Sequence, residues 1–405
     1  MCIIMLNKTS LPVNWQLINL EAVISPRKEK IHPNEIKGEL YIGLEHVISN
    51  NLNITNFGSS EGLKSTKSVF YSGDILYGKL RPYLNKVVLA DRKGICSTDI
   101  IVFQVKKDLI LPKYMANILR NKAFLIYATT KMSGANLPRV SWQKLKKFKI
   151  SLPPLETQKK IVEILENAEK LNEWRAAADE LADEYLKSVF LEIFGDPKSN
   201  PNGWKYANFS EIMIGTPQNG LYKHSAYYTK DNSGVPILRI DSFYDGKLKK
   251  LNNLKRLNCT NEELERFKLE NENIVINRVN SIEYLGKCAL IENLLEPTVY
   301  ESNMMQIKID KSIINPVYLT KFLCTNFVYN QIVNKAKKAV NQASINQKDV
   351  KSLKILIPPI ELQNQFANII QQVETLKSYQ SQSKQQIDNL FNTLMQKAFK
   401  GELVC

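Results

Sequence analysis

The feature that most constrains this chain is a long helical segment written twice. The first copy runs from Pro153 to Phe194 and the second from Pro358 to Phe399, at a constant spacing of 205 residues (358 − 153 = 399 − 194 = 205). Pro154 matches Pro359, Glu156 matches Glu361, Gln158 matches Gln363, Glu169 matches Glu374 and Leu171 matches Leu376. Self-similarity at a fixed offset points to a repeated architecture before anything else. Both copies read as helix on local grounds. A Pro-Pro pair suits the approach to a helix and is excluded from its interior. Glu156 and Glu361 fall in the first turn, where the helix dipole favours negative charge. Apolar residues recur at helical spacing with no internal Pro or Gly, until Gly195 and Gly401 act as stops.

The period is close to a heptad. With Ile161 at position a, later a positions fall on Ala168, Arg175, Ala182 and Val189, and in the second copy on Phe366, Val373, Gln380, Ile387 and Leu394. An antiparallel pair brings the polar mid-points together, Arg175 and Ala178 against Gln380 and Ser383, and such a layer fixes register. The residues expected to pack helix against helix are Ile161, Leu171, Arg175, Tyr185, Phe366, Leu376, Gln380 and Leu390.

The stretches before each helix repeat as well, with a drifting offset. Pro12-Val-Asn-Trp15 corresponds to Pro201-Asn-Gly-Trp204, Asp74–Lys79 to Asn273–Arg278, Tyr83–Leu89 to Tyr284–Leu290, and Val140–Leu145 to Ile345–Val350. Short β-like runs at 39–44, 74–77, 86–90 and 100–105 are separated by Gly and Asn clusters, as turns between strands require. A helix is expected over Lys113–Thr129 and a last strand over Phe148–Leu152. The chain therefore reads as an α/β (α+β) protein with an internal pseudo-two-fold repeat. Two globular heads are separated by two long antiparallel helices forming a coiled coil. The expected domains are 1–152, 153–196, 197–357 and 358–405.

Composition narrows the function. With 44% hydrophobic and 23% charged residues the chain is globular rather than disordered. A net charge of +15 and a pI of about 9.3 favour a polyanionic partner. Cysteines at 2, 96, 259, 288, 324 and 405 form no C-x-x-C, so no zinc ribbon or disulfide framework is indicated and a reducing, cytoplasmic compartment fits. The apolar start, Cys2 to Leu6, is too short for a signal segment, and no run approaches a membrane span. A helix of about 38 residues is roughly 57 Å long, against about 34–36 Å for one turn of DNA. Two reading heads on such a frame have the reach of a ruler.

Groove readers carry Arg, Lys, Asn and Gln, with Arg matched to guanine, Asn or Gln to adenine, and lysines mainly to phosphates. The candidates are Lys79, Arg81, Lys86, Lys131 and Arg139 in the first head. In the second they are Arg239, Arg278, Asn280, Lys335, Lys337, Lys338 and Gln342, with Asn341 beside the last. Each alone is also an ordinary solvated charge; the clusters carry the inference. Catalytic signals are weak. Three histidines, His32, His46 and His224, stand in no metal-ligand spacing, and neither a phosphate-binding loop nor an amino-methyltransferase Asn-Pro-Pro-Tyr is present. Asp241 with Asp245-Gly-Lys247 faintly echoes a nuclease arrangement, but a tight turn at Tyr244–Lys247 explains it more simply. No catalytic residue and no metal ligand is expected.

Taken together, Pro153-Pro-Leu-Glu-Thr-Gln158, Phe190-Leu-Glu-Ile-Phe-Gly-Asp196, Pro201-Asn-Gly-Trp204, Pro358-Pro-Ile-Glu-Leu-Gln363 and Ala398–Leu403 resemble the specificity subunit of Type I restriction-modification systems over essentially the whole chain. The resemblance implies that each head is a target recognition domain reading one half of a bipartite site on double-stranded DNA. It implies that the helices set the unread spacer and bind two modification subunits, with restriction subunits in the full complex. No cofactor is then expected in this chain; S-adenosylmethionine, ATP and Mg belong to the partners. Four residues, Met1-Cys-Ile-Ile, precede Met5 and fit an upstream start. The competing readings are a self-contained nuclease or methyltransferase and a coiled-coil scaffold that binds only proteins.

Overall fold

The computed structural model describes residues 11–403 except 33, 34, 36, 37, 250 and 341; Cys2, Met5, Asn341 and Cys405 lie outside the described residues. The chain divides into two compact units, residues 1–178 with 380–405 and residues 179–379. The division cuts both long helices, Leu155–Phe194 and Ile360–Lys400. Each unit thus holds one head, the start of the helix that leaves that head, and the end of the other helix.

In the first unit the central sheet runs in the order Ile24–Pro26, Ile100–Val105, Ile75–Gly78, Val87–Leu89, antiparallel throughout. A five-stranded sheet lies beside it in the order Lys30–Ile31, Lys67–Phe70, Gly94–Cys96, Leu40–Ile42, Gly58–Ser59 and carries one parallel pair, Leu40–Ile42 with Gly94–Cys96. Strands Gln16–Asn19 and Lys149–Leu152 pair antiparallel and close the head. The expected helix over Lys113–Thr129 is two helices, Pro112–Arg120 and Lys122–Thr130. The break is local: Asn121 takes an extended conformation and its side chain caps the second helix by accepting from the Ala123 N–H.

The second unit repeats the plan. Its main sheet runs Gln218–Asn219, Met304–Ile307, Ile274–Asn277, Cys288–Leu290, Gly246–Leu248, Phe243–Tyr244. Lys205–Asn208 pairs with Lys354–Ile357 as the closing strands do in the first unit. The Asp241–Lys247 segment is the tight turn expected of it. Asp245 and Gly246 both have positive φ (54° and 84°), the signature of a two-residue hairpin turn.

The duplicated Pro-Pro…Gln motif is the joint between head and helix. Gln158 is fully buried; its Oε1 accepts from Leu111 N–H (2.8 Å), and its Nε2 donates to the carbonyls of Leu109 (3.0 Å) and Pro153 (2.9 Å). Gln363 repeats this with Asn315 N–H (2.8 Å) and the carbonyls of Ile313 (3.3 Å) and Pro358 (2.8 Å). Tyr114 and Tyr318, both buried, brace the same joint by donating to the carbonyls of Ser151 and Leu356. Replacing Gln158 with leucine strands one N–H and two carbonyls in the interior. It is expected to cost about 3 kcal/mol or more, read as an earlier denaturant transition of the first unit, with Gln363→Leu doing the same to the second.

The far end of each helix closes on the other head. Gly195 (φ 76°) and Gly401 (φ 79°) stop the helices, and a Cβ on either would press against a proline, Pro201 in the second unit and Pro12 in the first. Phe190 and Phe194 pack on Tyr318 and Phe366 in the second core; Met395, Ala398 and Phe399 take those places in the first. Within each unit the helical segments run antiparallel. In the first, the early turns at Ile161 and Leu165 share a core with Met395 and Ala398, and Arg175 donates to Ser383 Oγ (3.2 Å). In the second, Asp183 pairs with Lys377 and Phe190 with Phe366. The polar layer is present: Arg175, Gln380 and Ser383 are half-buried at the mid-point of the pair.

The heptad frame needs one correction. Ile161 and Phe366 are buried as expected, but Leu171, Tyr185, Leu376 and Leu390 are 39%, 53%, 58% and 46% exposed. The a positions stand as expected, from Ile161 to Val189 and from Phe366 to Leu394, and only the second inward row falls one residue later than expected, on Leu165, Asn172, Asp179 and Leu186, and on Ile370, Lys377 and Phe391. Apolar character chose the frame, whereas the seam admits small and polar side chains. The apolar residues left over form a second stripe that faces outward, joined by exposed Trp174 and Tyr379.

Candidate nucleic-acid interface

In the first head the strand Ile75–Gly78 continues outward as Lys79–Leu80–Arg81, and a hairpin from Ser133 to Arg139 lies against it. Val140 N–H donates to the Lys79 carbonyl (3.0 Å), Arg81 N–H to that of Pro138 (2.8 Å), and Ser133 and Arg139 exchange backbone hydrogen bonds (2.8 and 2.9 Å). The bridges Leu80 to Arg139 and Arg139 to Ser133 make a three-strand ledge. Three-strand pairing recurs in the second head as Val279–Asn280, Ala343–Ser344 and Lys337–Lys338, with Val279 opposite Ser344 and Ser344 opposite Lys337. The two ledges occupy corresponding places in the repeat.

The ledges gather candidates that are far apart in sequence. Arg81 and Lys131 are exposed at the first; Asn280 lies beside exposed Lys337, Lys338 and Gln342 at the second, with exposed Lys335 at its foot. Arg81 sits at φ 49°, a left-handed conformation uncommon for a residue with a Cβ, and caps a short turn that displays Tyr83. Such local outliers concentrate at functional positions. The hairpin tips expose Leu137 and Val340.

Other candidates have structural work. Arg139 grips Asp99 with two bonds (Nε to Oδ1 2.8 Å, Nη2 to Oδ2 3.2 Å), and this guanidinium holds the Asp99 carboxyl below the usual carboxylate range. It anchors the hairpin, and its side chain remains partly exposed at the ledge. Lys86 is half-buried and donates to the Leu44 carbonyl (2.5 Å). Arg278 donates to the Ser302 carbonyl (3.1 Å). Arg239 lies 3.7 Å from Glu301, whose carboxyl is pushed up by burial while the Arg239 charge pulls it down. The Nε atoms of Arg239 and Arg278 are buried without acceptors. Asn280 accepts from the Ser281 N–H (2.8 Å). Lys79, half-buried, is held by its backbone between Asp99 and Val140.

Sequence reasoning passed over Tyr83 and Tyr284, exposed on equivalent turns next to the two ledges. The signal was present, since both tyrosines open the matched Tyr83–Leu89 and Tyr284–Leu290 segments. Lys287 lies over the Tyr284 and Tyr244 rings (3.9 and 3.5 Å). Asp245 and Lys247 build no nuclease site: Lys247 pairs with Glu374 on the second long helix, and no cluster of three or more metal-ligating side chains occurs among the described residues. No helix of the described residues is long and apolar enough to cross a membrane.

Comparison with known proteins agrees with this geometry. The chain is 27% identical over 315 residues to the Type I restriction enzyme EcoKI specificity subunit of Escherichia coli (strain K12), a match covering 73% of this chain and 66% of the relative. It is 23% identical over 313 residues to the StySPI specificity subunit of Salmonella potsdam, again covering 73% and 66%. The matches thus span just under two thirds of these relatives. In fold it is similar to a chain solved in work on complex assembly and conformational transition of the type I R-M system (TM-score 0.66, 21% identity, 97% of this chain and 99% of that one). It is also similar to a Type-I restriction-modification system S subunit from M. genitalium (TM-score 0.54, 14% identity, 98% of each chain). The family model for the Type I restriction modification DNA specificity domain matches twice, over residues 12–178 and 201–389, and the chain belongs to that family.

Proposed function

We propose that this chain is the non-catalytic, sequence-reading subunit of a Type I restriction-modification complex. The heads, residues 1–152 and 197–357, each read one half of a bipartite target on double-stranded DNA. The helical segments 153–196 and 358–405 set the unread spacer and carry two modification subunits, with restriction subunits joining the full complex. S-adenosylmethionine, ATP and Mg act on those partners, and the assembly works in the cytoplasm. The observation that carries this reading is the duplicated ledge within a twice-matched family domain. The same framework presents different side chains in the two heads, Arg81 and Lys131 against Asn280, Lys337, Lys338 and Gln342, as an asymmetric target requires.

Exposed apolar residues support the partner assignment. Leu171, Trp174 and Leu390 stand outward in the first unit; Leu376, Tyr379 and Tyr185 stand outward at the matching places in the second. Two equivalent apolar patches fit two copies of one partner, the modification subunit.

The test is reconstitution. The chain with its modification subunits, sequenced for methylated adenine, is expected to mark one bipartite motif, and exchanging residues 1–152 for another head changes only one half of it. Robust methylation or cleavage by the isolated chain, given methyl donor and magnesium, would sink the reading in favour of a self-contained enzyme. Reversing Arg81 and Lys131 together to glutamate is expected to weaken DNA binding by the complex at least about tenfold. It should also lower the slope of log affinity against log salt by about two, read by anisotropy titration. An unchanged slope removes these two residues from the phosphate contacts.

A further inference from the structure

The two heads fill one equivalent position with different chemistry. In the first, Arg120 ends the helix Pro112–Arg120. It pairs with Glu169 on the first long helix, bonds Asn117 (Nε, 2.9 Å) and the Asn50 carbonyl (3.2 Å), and lies over the Phe391 ring (5.1 Å). The offset that relates Pro112 to Pro316 places Cys324 there in the second head (324 − 120 = 316 − 112 = 204). Cys324 caps the helix Pro316–Leu323 and is exposed, while its Sγ lies 3.7 Å from that of Cys288, buried on strand Cys288–Leu290. Glu374, the counterpart of Glu169, is held instead by Lys247. The turn that delivers Lys247 rests on this thiol pair: a Cβ on Gly246 would stand 3.6 Å from Cys324 Sγ, and Lys321 donates to the Asp245 carbonyl (3.4 Å).

We propose that Cys288 and Cys324 form an oxidisable dithiol, converted by a hydroperoxide to a disulfide that staples the second head beside its salt link to the long helix. The Cys324 thiolate attacks the peroxide O–O bond, forming a sulfenic acid and releasing an alcohol. The Cys288 sulfur then displaces the sulfenic oxygen, which leaves as water. The balance is two thiols plus ROOH to one disulfide, ROH and H2O. A disulfide needs about 2.05 Å between sulfurs, so the pair must close by about 1.7 Å, and Cys324 sits at a helix end where the chain can give. The hydrogen bond from Cys288 and the nearby Lys321 charge pull the Cys324 thiol down, which favours the attacking thiolate. Cys96, fully buried, is pushed up to about 12 by desolvation, and burial also raises Cys259; both serve as internal controls.

The test uses the full chain treated with a few equivalents of hydrogen peroxide, alkylated and digested with trypsin without reduction. The expected product joins peptide 288–308 to peptide 322–335, at least ten times more abundant than any other cysteine pairing, and dithiothreitol reverses it. In Cys324→Ser the Cys288 thiol stays alkylatable. Amide exchange over residues 246–248 and 320–325 slows several-fold in the oxidised protein. Cys324 over-oxidised to sulfinic acid beside a reduced Cys288, or links spread evenly over other cysteines, would overturn the pairing. Unaltered exchange over those residues would overturn the staple.

Discussion

Seven residues inserted into each long helix, between Ala178 and Asp179 and between Tyr379 and Gln380, are expected to lengthen the unread spacer by about three base pairs and to leave both half-sites as they were. Each insertion adds about 10 Å at 1.5 Å per residue, and B-DNA rises about 3.4 Å per base pair. Seven is the number that preserves the seam, because inward positions repeat every seven residues along both helices, at 161, 168, 175, 182 and 189 and at 366, 373, 380, 387 and 394. The two insertion points also lie where the compact units divide, so each head keeps its own joint. Inserting seven residues into one helix only leaves the helices unequal between the Arg175–Ser383 and Asp183–Lys377 pairs, so the two pairs cannot both be kept, and is expected to abolish assembly of the specific complex. The readout is the methylated-adenine motif of the reconstituted complex; an unaltered spacing with both insertions in place would refute the ruler.

The largest single-residue effect is expected at Phe366. Its ring is buried and meets those of Phe190 (5.6 Å) and Phe194 (5.3 Å), so one residue ties the start of the second helix to the end of the first. Phe366→Ala leaves a cavity in that core at a cost of about 3–5 kcal/mol. The loss should fall on the second unit, because Phe366 contributes to its core and not to that of the first. Denaturation followed by hydrogen exchange should show residues 205–208 and 354–357 opening early while 16–19 and 149–152 keep their protection. A uniform loss across both units would contradict their independence. In the functional assay the second half-site should degrade first.

The repeat was legible because its helices carry rigid local signals. Pro-Pro, the first-turn glutamate and the terminal glycine each act through backbone geometry, and none depends on distant contacts. The five strands expected in the first head were legible to within a residue or two for the same reason, with Gly and Asn marking the turns, whereas shorter ones such as Ile24–Pro26, Lys67–Phe70 and Gly94–Cys96 carried no such marks and were missed. Asn121 escaped notice because a capping side chain in mid-run looks like any polar residue on a helix face. One row of the seam, at Leu171, Tyr185, Leu376 and Leu390, was misplaced by one residue because two apolar stripes run along each helix and hydrophobicity cannot say which one faces inward; the row through Ile161, Arg175, Phe366 and Gln380 was legible. The candidate interface was legible only in part. Lys337, Lys338 and Gln342 are close in sequence, but their neighbour Asn280 joins them only through strand pairing. The pairing of Arg139 with Asp99 was not legible, because the two are 40 residues apart and meet only through the fold.

The paired glycine stops carry one more consequence. Gly401 meets Pro12 as Gly195 meets Pro201, so the molecule builds the same joint twice, and Asp196–Asn200 spans one of them. A gene rearranged to begin at Pro201 and to bridge Gly401 to Pro12 with that five-residue segment should encode the same reader, its specificity intact, with the two recognition blocks spoken in the opposite order.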